Sequence, residues 1–203
     1  MLGGEAEEVI RSGGKFHMIP VNHGDTLLYL TRAPLTQASM DKPRDGDLVR
    51  GFVLGPVFQG YWVDPGRTAV CGSRSTPAQR ELIETTADII HKCIEAIRPG
   101  VRVAEVAELG DRLMDDVGTV KDQIATLDPL YGRGIGLYWE HPYIGKPFIT
   151  DERGNEETFE AGMVLGVEAF VGREGIGSTA MEQNLIVTND GNELIITSPM
   201  IWY

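Results

Sequence analysis

The chain has 203 residues, 42% of them hydrophobic, a formal net charge of -12 at pH 7 and a pI near 4.7. This length predicts one domain, residues 1–203. The acidity and the lack of a Lys/Arg cluster argue against nucleic acid, whose phosphates would be repelled, and favour a small-molecule or peptide ligand. No apolar run or signal peptide indicates a membrane, so a cytoplasmic location is expected.

The first part of the chain contains a predicted helix end, a predicted strand and a predicted hairpin. A helix end at Glu5–Arg11 has so little chain before it that the start looks truncated, and Thr26–Arg32 is typical of a strand. Leu48–Leu54 and Tyr61–Val70 are predicted to pair as a hairpin. Asp64 interrupts the second of these strands, where a bulge could direct its carboxylate.

Two amphipathic helices are predicted in the middle of the chain. Thr76 and Pro77 are a favourable N-cap and first residue for a helix that runs to Arg98, and a second helix is expected near Ala104–Ile124. The stripe predicted to face the core comprises Ile83, Ala87, Ile90, Ile94 and Ile97 in the first helix and Val106, Leu113, Val117 and Val120 in the second. These helices are predicted to cover a sheet.

The segment Tyr131–Pro142 combines closely spaced glycines with a few polar groups. Its glycines allow close backbone approach or sharp bending, but they lack the spacing of a phosphate-binding loop. The polar side chains of this segment are Arg133, Glu140 and His141. They are candidates for a functional site.

Two glutamates lie within apolar runs near the end of the chain. Met163–Phe170 and Met181–Thr188 are predicted to form adjacent strands, and they contain Glu168 and Glu182. A buried, ionised glutamate is costly unless a metal, a protein cation or a shared proton compensates it. The alternative is that both side chains lie on the solvent face of the sheet.

Several sequence blocks together resemble the catalytic domain of the pita-bread superfamily. In chain order they are GDLV, GPVFQGYWVDPGRT, IRPG, YGRGIGLYWEHP, EAGMVLGVEAF and MEQNLIVTNDGNELI, between Asp45 and Thr197. The superfamily contains methionine aminopeptidase, prolidase, aminopeptidase P, creatinase, ectoine hydrolase and a dimethylsulfoniopropionate lyase. The resemblance implies an α+β fold with a curved, mainly antiparallel sheet backed by helices and a site in its concave face. It also implies a homodimer.

The resemblance implies a degenerate metal site. Metal-binding members hold two divalent ions with two Asp, one His and two Glu; Asp64, Glu168 and Glu182 match three of these positions, whereas Val53 and Arg133 stand at the other two. Three oxygen ligands are too few for a two-metal centre. We therefore expect no cofactor and an Arg133 guanidinium in place of the metal. The alternative is one divalent ion, Mn, Fe, Co or Zn, held by the three carboxylates.

Three functions follow from this resemblance. The first is a metal-independent, creatinase-like hydrolase of a small amide or peptide-like substrate, in which Glu168 and Glu182 orient or protonate the substrate beside Arg133. His141, next to Glu140, is the expected base, with His23 as the other candidate. The second is a hydrolase or lyase with one metal ion held by Asp64, Glu168 and Glu182. Separately, VEA and the glutamate before HP resemble the ectoine hydrolase and lyase branch. The third is an inactive binding subunit.

Overall fold

The computed structural model describes residues 15–18, 21–23, 42–72, 74–117, 130–145 and 157–203. The strands are β1 (Lys15–Met18), β2 (Val21–His23), β3 (Leu48–Phe52), β4 (Leu54–Phe58), β5 (Tyr61–Trp62), β6 (Gly66–Val70), β7 (Leu130–Ile135), β8 (Trp139–Gly145), β9 (Val164–Arg173), β10 (Gly177–Val187), β11 (Asn192–Leu194) and β12 (Ile201–Trp202). The helices are α1 (Pro77–Ala96) and α2 (Val103–Val117). The predicted elements Glu5–Arg11 and Thr26–Arg32 lie outside the described residues.

The described strands form two sheets. The smaller has the order β1-β4-β5, and the larger has the order β2-β3-β6-β10-β9-β7-β8, with β11 added to β10 and β12 to β6. The pairings along both sheets are antiparallel, and β12 runs parallel to β6. A mainly antiparallel sheet covered by two helices confirms the α+β prediction. In the described part of the chain, neither helix is long and apolar enough to cross a membrane.

Helix α1 begins and packs as its sequence predicts. The Thr76 hydroxyl accepts a hydrogen bond from the Gln79 backbone N–H at 3.2 Å, and the Gln79 side chain accepts one from the Thr76 N–H at 2.9 Å. The predicted stripe from Ile83 to Ile97 is buried. The helix ends at Ala96, two residues before the predicted end, because Ile97 is already extended. The N-cap at Thr76 and the apolar stripe therefore suffice to predict the start and the buried face of this helix from its sequence.

Helix α2 lies close to strand β7. Val106 is buried, and Leu113 and Val117 pack against the core, whereas residues 118–129, which include the predicted end of the helix, lie outside the described residues. A Cβ atom on Gly110 would come within 2.6 Å of the Tyr131 ring. Glycine at this position therefore permits the close approach of helix and strand.

The two faces of strands β9 and β10 have different roles. Alternating residues pack in the core shared with the helices, namely Leu165, Val167, Ala169 and Val171 in β9 and Met181, Leu185 and Val187 in β10, where the polar Gln183 interrupts the series. Because side chains alternate along a strand, Glu168 and Glu182 project from the opposite face. Both glutamates are nevertheless buried, so the alternative of a solvent-facing pair is wrong.

The prediction that Tyr61–Val70 forms a single strand, interrupted only by a bulge at Asp64, is wrong. Strand β5 ends at Trp62 and pairs with β4 in the small sheet, whereas β6 begins at Gly66 and pairs with β3 and β10 in the large sheet. Residues 63–65 carry the chain from one sheet to the other. Asp64 lies in this connection and is fully buried. The connection itself, and not a bulge within a strand, directs its carboxylate.

Candidate functional site

Four predicted site residues come together on the face of the large sheet that lies away from the helices. Glu182 is the direct neighbour of Glu168 across β9 and β10, and Arg133 is the direct neighbour of Gly166 across β7 and β9. Asp64 enters from the connection before β6. The exposed fractions are 0% for Asp64, 5% for Arg133, 6% for Glu168 and 0% for Glu182. We call these four residues the Arg133 cluster.

An irregularity in β7 directs Arg133 into this cluster. The pairing of β7 with β8 shifts between Leu130 and Gly132 and again between Arg133 and Gly134. Tyr131 belongs to the helix-side core, yet the Arg133 side chain reaches carboxylates on the opposite face. Gly132 has a φ of +150°, and a Cβ atom there would overlap the Gly166 carbonyl oxygen. Glycine therefore makes possible the local geometry that places Arg133.

The guanidinium of Arg133 binds the three carboxylates unequally. Its Nη1 lies 2.5 Å from Glu168 Oε1, its Nη2 donates to Asp64 Oδ2, and Nη2 lies 3.5 Å from both oxygens of Glu182. Arg133 Nε and Glu182 Oε1 are buried without a hydrogen-bond partner in the described part of the chain. The cation is therefore firmly paired with Asp64 and Glu168 and only loosely with Glu182.

Trp139 and Asn184 complete the surroundings of the cluster, and sequence reasoning missed both. Trp139 Nε1 donates to Asp64 Oδ2 at 3.1 Å, and its ring lies 4.7 Å from the Arg133 Cζ. The side-chain oxygen of Asn184 accepts from the Asp64 backbone N–H at 3.1 Å, and its Nδ2 lies 3.4 Å from Asp64 Oδ1. Asn184 follows Glu182 by two positions, so strand alternation was the signal that could have identified it.

The charges of the cluster are coupled. Burial raises the pKa of Glu182 well above its usual range; Arg133 opposes this, and Asp64 and Glu168 add to it. Burial also raises the pKa of Glu168. The positive charge of Arg133 lowers this pKa, and the negative charge of Asp64 raises it, so the net shift is upward. Burial lowers the pKa of Arg133, but the carboxylates of Glu182, Glu168 and Asp64 outweigh it and raise the pKa overall. The cluster thus favours a retained proton, and the geometry places it on Glu182.

The raised pKa of Glu182 predicts a pH dependence of stability. The folded protein keeps a proton that the unfolded chain loses above about pH 4.5, so the free energy of unfolding falls as the pH rises toward the folded-state pKa. A tenfold difference in proton affinity between the folded and the unfolded chain corresponds to about 1.4 kcal/mol. Glu182→Gln, which resembles the neutral acid, should match the wild type near pH 5 and lose less stability above it.

Urea unfolding from pH 5 to pH 9 measures this difference. The control is Glu140→Gln, which changes an exposed glutamate and should keep the wild-type pH dependence. Equal slopes for the wild type and Glu182→Gln would show that Glu182 is ionised in the folded protein throughout this range.

Glu140 and His141 are not brought to the Arg133 cluster. Glu140 is exposed, and its Oε1 accepts a hydrogen bond from the Leu137 backbone N–H at 2.9 Å. The His141 side chain is 60% exposed, and its Nδ1 lies 3.3 Å from Glu157 Oε1. The catalytic roles predicted for these two residues remain predictions, without a contact to the cluster that supports them.

The sequence predictions concern two further residues: Val53, at an expected metal-ligand position, and His23, the other candidate base. Val53 is buried, and its backbone N–H donates to the carbonyl oxygen of Pro65 at 2.9 Å, directly after Asp64 in the chain. A buried apolar side chain thus stands at the position where the resemblance implies a metal-binding aspartate. His23 is the last residue of β2 and pairs with Val49 of β3.

The residues present do not fit the two-metal centre that the resemblance implies. The three carboxylates are directed at a guanidinium, a permanent cation that donates hydrogen bonds and cannot coordinate an ion. In the ranges that the structure describes, no three His, Cys, Asp or Glu side chains are arranged as a metal site. Arg133 would repel a divalent ion placed among these carboxylates.

Comparisons with known proteins identify the class of fold and then the family. In solved structures the chain superimposes on the dipeptidase PepE from Mycobacterium ulcerans, with a TM-score of 0.80 and 25% identity over 98% of this chain and 50% of that chain. The Xaa-Pro dipeptidase from Bacillus anthracis gives a TM-score of 0.74 and 26% identity over 96% of this chain and 52% of that chain. These similarities confirm the pita-bread fold.

The sequence assigns the family. Residues 12–189 match metallopeptidase family M24, and the chain belongs to this family. An uncharacterized peptidase of Staphylococcus saprophyticus is 30% identical over 142 residues, which are 70% of this chain and 37% of that protein. The chain thus spans little more than a third of the length of this curated relative and about half of the two solved chains. The resemblance to the pita-bread superfamily is confirmed.

Proposed function

We propose that this chain is a hydrolase-type domain that acts on a small amide or peptide-like substrate without the usual two-metal centre. The observation that carries the proposal is the buried Arg133 among Asp64, Glu168 and Glu182. A fixed cation beside carboxyl groups can stabilise negative charge on a substrate carbonyl oxygen and exchange protons with the substrate. The peptidases among its relatives support the choice of substrate class.

The proposed reaction uses residues of the cluster alone. Water attacks the amide carbon, a C–O bond forms, and the water proton passes to Glu168. The Glu182 carboxyl group donates its proton to the leaving nitrogen as the C–N bond breaks, and Arg133 stabilises the developing oxyanion. Raised pKa values for Glu168 and Glu182 suit these roles, because a catalytic acid or base acts best near the ambient pH.

Release of amino acids from a panel of Xaa-Pro and other dipeptides tests the proposal. In the presence of a chelator we expect turnover by the wild type, a loss of about 100-fold in Glu182→Gln, and retained activity in the exposed controls Glu140→Gln and His141→Ala. Turnover only after addition of Mn, Fe, Co or Zn would contradict it and favour a single-metal hydrolase or lyase. Loss of activity in His141→Ala would restore His141 as the base.

A second candidate is a binding domain without catalytic activity. It is favoured by the ion pairs that already engage both Nη atoms of Arg133 with Asp64 and Glu168, and by the exposed position of His141, without a contact to the cluster. This candidate predicts no release of amino acids from any dipeptide, with or without added metal. It also predicts that calorimetry detects binding of a dipeptide to the chain.

The proposal includes the setting in which the domain acts. A homodimer in the cytoplasm, without nucleic acid or membrane partners, agrees with the net charge of -12 and with the apolar side chains exposed near the chain end, Ile201 at 41% and Tyr203 at 51%. A single domain over residues 1–203 remains part of this proposal. Light scattering of the purified chain measures the oligomeric state.

A further inference from the structure

The three carboxylates of the Arg133 cluster converge from separate parts of the fold. Asp64 lies in the connection between the two sheets, Glu168 in β9 and Glu182 in β10. The Nη2 atom of Arg133 contacts both Asp64 and Glu182, and Nη1 contacts Glu168. Since strands and packed connections hold these oxygens, their convergence does not depend on a flexible loop. They form a buried cage of oxygen atoms around one cation.

The guanidinium fills this cage incompletely. Glu182 Oε1 and Arg133 Nε are both buried and lack hydrogen-bond partners in the described residues. Glu182 Oε1 lies so close to Gly166 that a Cβ atom there would overlap it. A planar guanidinium satisfies carboxylates only in its own plane, whereas a small divalent ion accepts oxygens from several directions. Glu182 Oε1, which lies 3.5 Å from Arg133 Nη2 and accepts no hydrogen bond in the described residues, is therefore the oxygen that the guanidinium holds least well.

We infer that Arg133 is a resident counter-ion that closes the three-carboxylate cage to divalent cations, and that its removal lets Asp64, Glu168 and Glu182 close on a metal ion that the wild type does not bind. Carboxylate oxygens suit Mn²⁺, and histidine in place of Arg133 would add an imidazole ligand suited to Zn²⁺ and Co²⁺. Lysine in place of Arg133 keeps a positive charge and should keep the cage closed. This inference goes beyond the proposed hydrolase activity, because metal binding is measured without turnover.

Calorimetry with MnCl₂ and ZnCl₂ at pH 7.5 tests the inference on the wild type, Arg133→Ala, Arg133→His and Arg133→Lys. We expect no binding to the wild type and Arg133→Lys. Arg133→Ala and Arg133→His should each bind about one ion per chain, at least roughly 1,000-fold tighter than any residual binding to the wild type, since repulsion between two unit charges at contact distance alone accounts for that factor and the ion is divalent. Adding Glu182→Gln to Arg133→His should abolish this binding.

Two results would overturn the inference. One is a wild type that binds an ion as tightly as Arg133→His, and the other is a pair of folded Arg133→Ala and Arg133→His proteins that bind no ion. If these variants do not fold alone, refolding with MnCl₂ or ZnCl₂ decides the question by circular dichroism. Recovery of the native spectrum by the metal supports the cage, and failure to recover it with either ion contradicts it.

Discussion

Replacing Arg133 with alanine is expected to lower the free energy of unfolding by roughly 3 to 5 kcal/mol, the range for removal of one partner from a buried ion pair. The change leaves Asp64 and Glu168 buried without their cation and takes the nearby positive charge from Glu182. The pKa values of Glu168 and Glu182, which burial already raises, should then rise further, so the loss should be smaller at pH 5 than at pH 8. Urea unfolding at both pH values measures it.

Two further variants separate a charge effect from a general loss of packing. Arg102→Ala removes an exposed ion pair with Glu105, at 2.9 Å, and should cost less than about 1 kcal/mol. Adding Glu168→Gln to Arg133→Ala removes one uncompensated carboxylate and should recover part of the lost stability. A loss below about 1 kcal/mol in Arg133→Ala would contradict the assignment of Arg133 as the cation of this cluster.

The second large effect is expected at Gly132. A Cβ atom there would overlap the backbone carbonyl oxygen of Gly166 in the neighbouring strand, and the φ of +150° is unfavourable for other residues. Backbone strain and overpacking each cost about 1 to 3 kcal/mol, so Gly132→Ala should lower the free energy of unfolding by about 3 kcal/mol or more. It should also displace the adjacent Arg133.

Gly162→Ala is the matched control for Gly132→Ala. Gly162 also has a positive φ, +95°, but nothing lies within 4 Å of a Cβ atom built on it. This control should cost about 1 kcal/mol and leave the cluster unchanged. Urea unfolding compares stability, and Trp139 fluorescence reports the surroundings of Arg133. Equal losses in the two variants would show that β7 adjusts to a side chain at Gly132.

Local rules explain the parts of the fold that the sequence could predict. Thr76, Pro77 and an apolar stripe specify α1 without long-range information, and strand alternation places Glu168 and Glu182 on one face. The division of Tyr61–Val70 between two sheets is a long-range outcome. Asp64, Pro65 and Gly66 signal an interruption locally, but only the other strands determine which sheet each part joins.

The site was only partly predictable for a related reason. Motif spacing brought Asp64, Glu168, Glu182 and Arg133 into one hypothesis, because the resemblance carries tertiary information. The contact of Trp139 with Asp64 depends on the turn between β7 and β8, which motif spacing does not describe. The same turn leaves Glu140 and His141 exposed, although they are neighbours of Trp139 in the chain.

The most direct test of the account is a crystal structure of the wild type grown with MnCl₂, with anomalous diffraction used to locate manganese. We predict the Arg133 guanidinium between Asp64 and Glu168, with no anomalous peak among the three carboxylates. A manganese peak bound by Asp64, Glu168 and Glu182, with the Arg133 side chain turned away, would contradict the account. It would then favour a single-metal hydrolase or lyase.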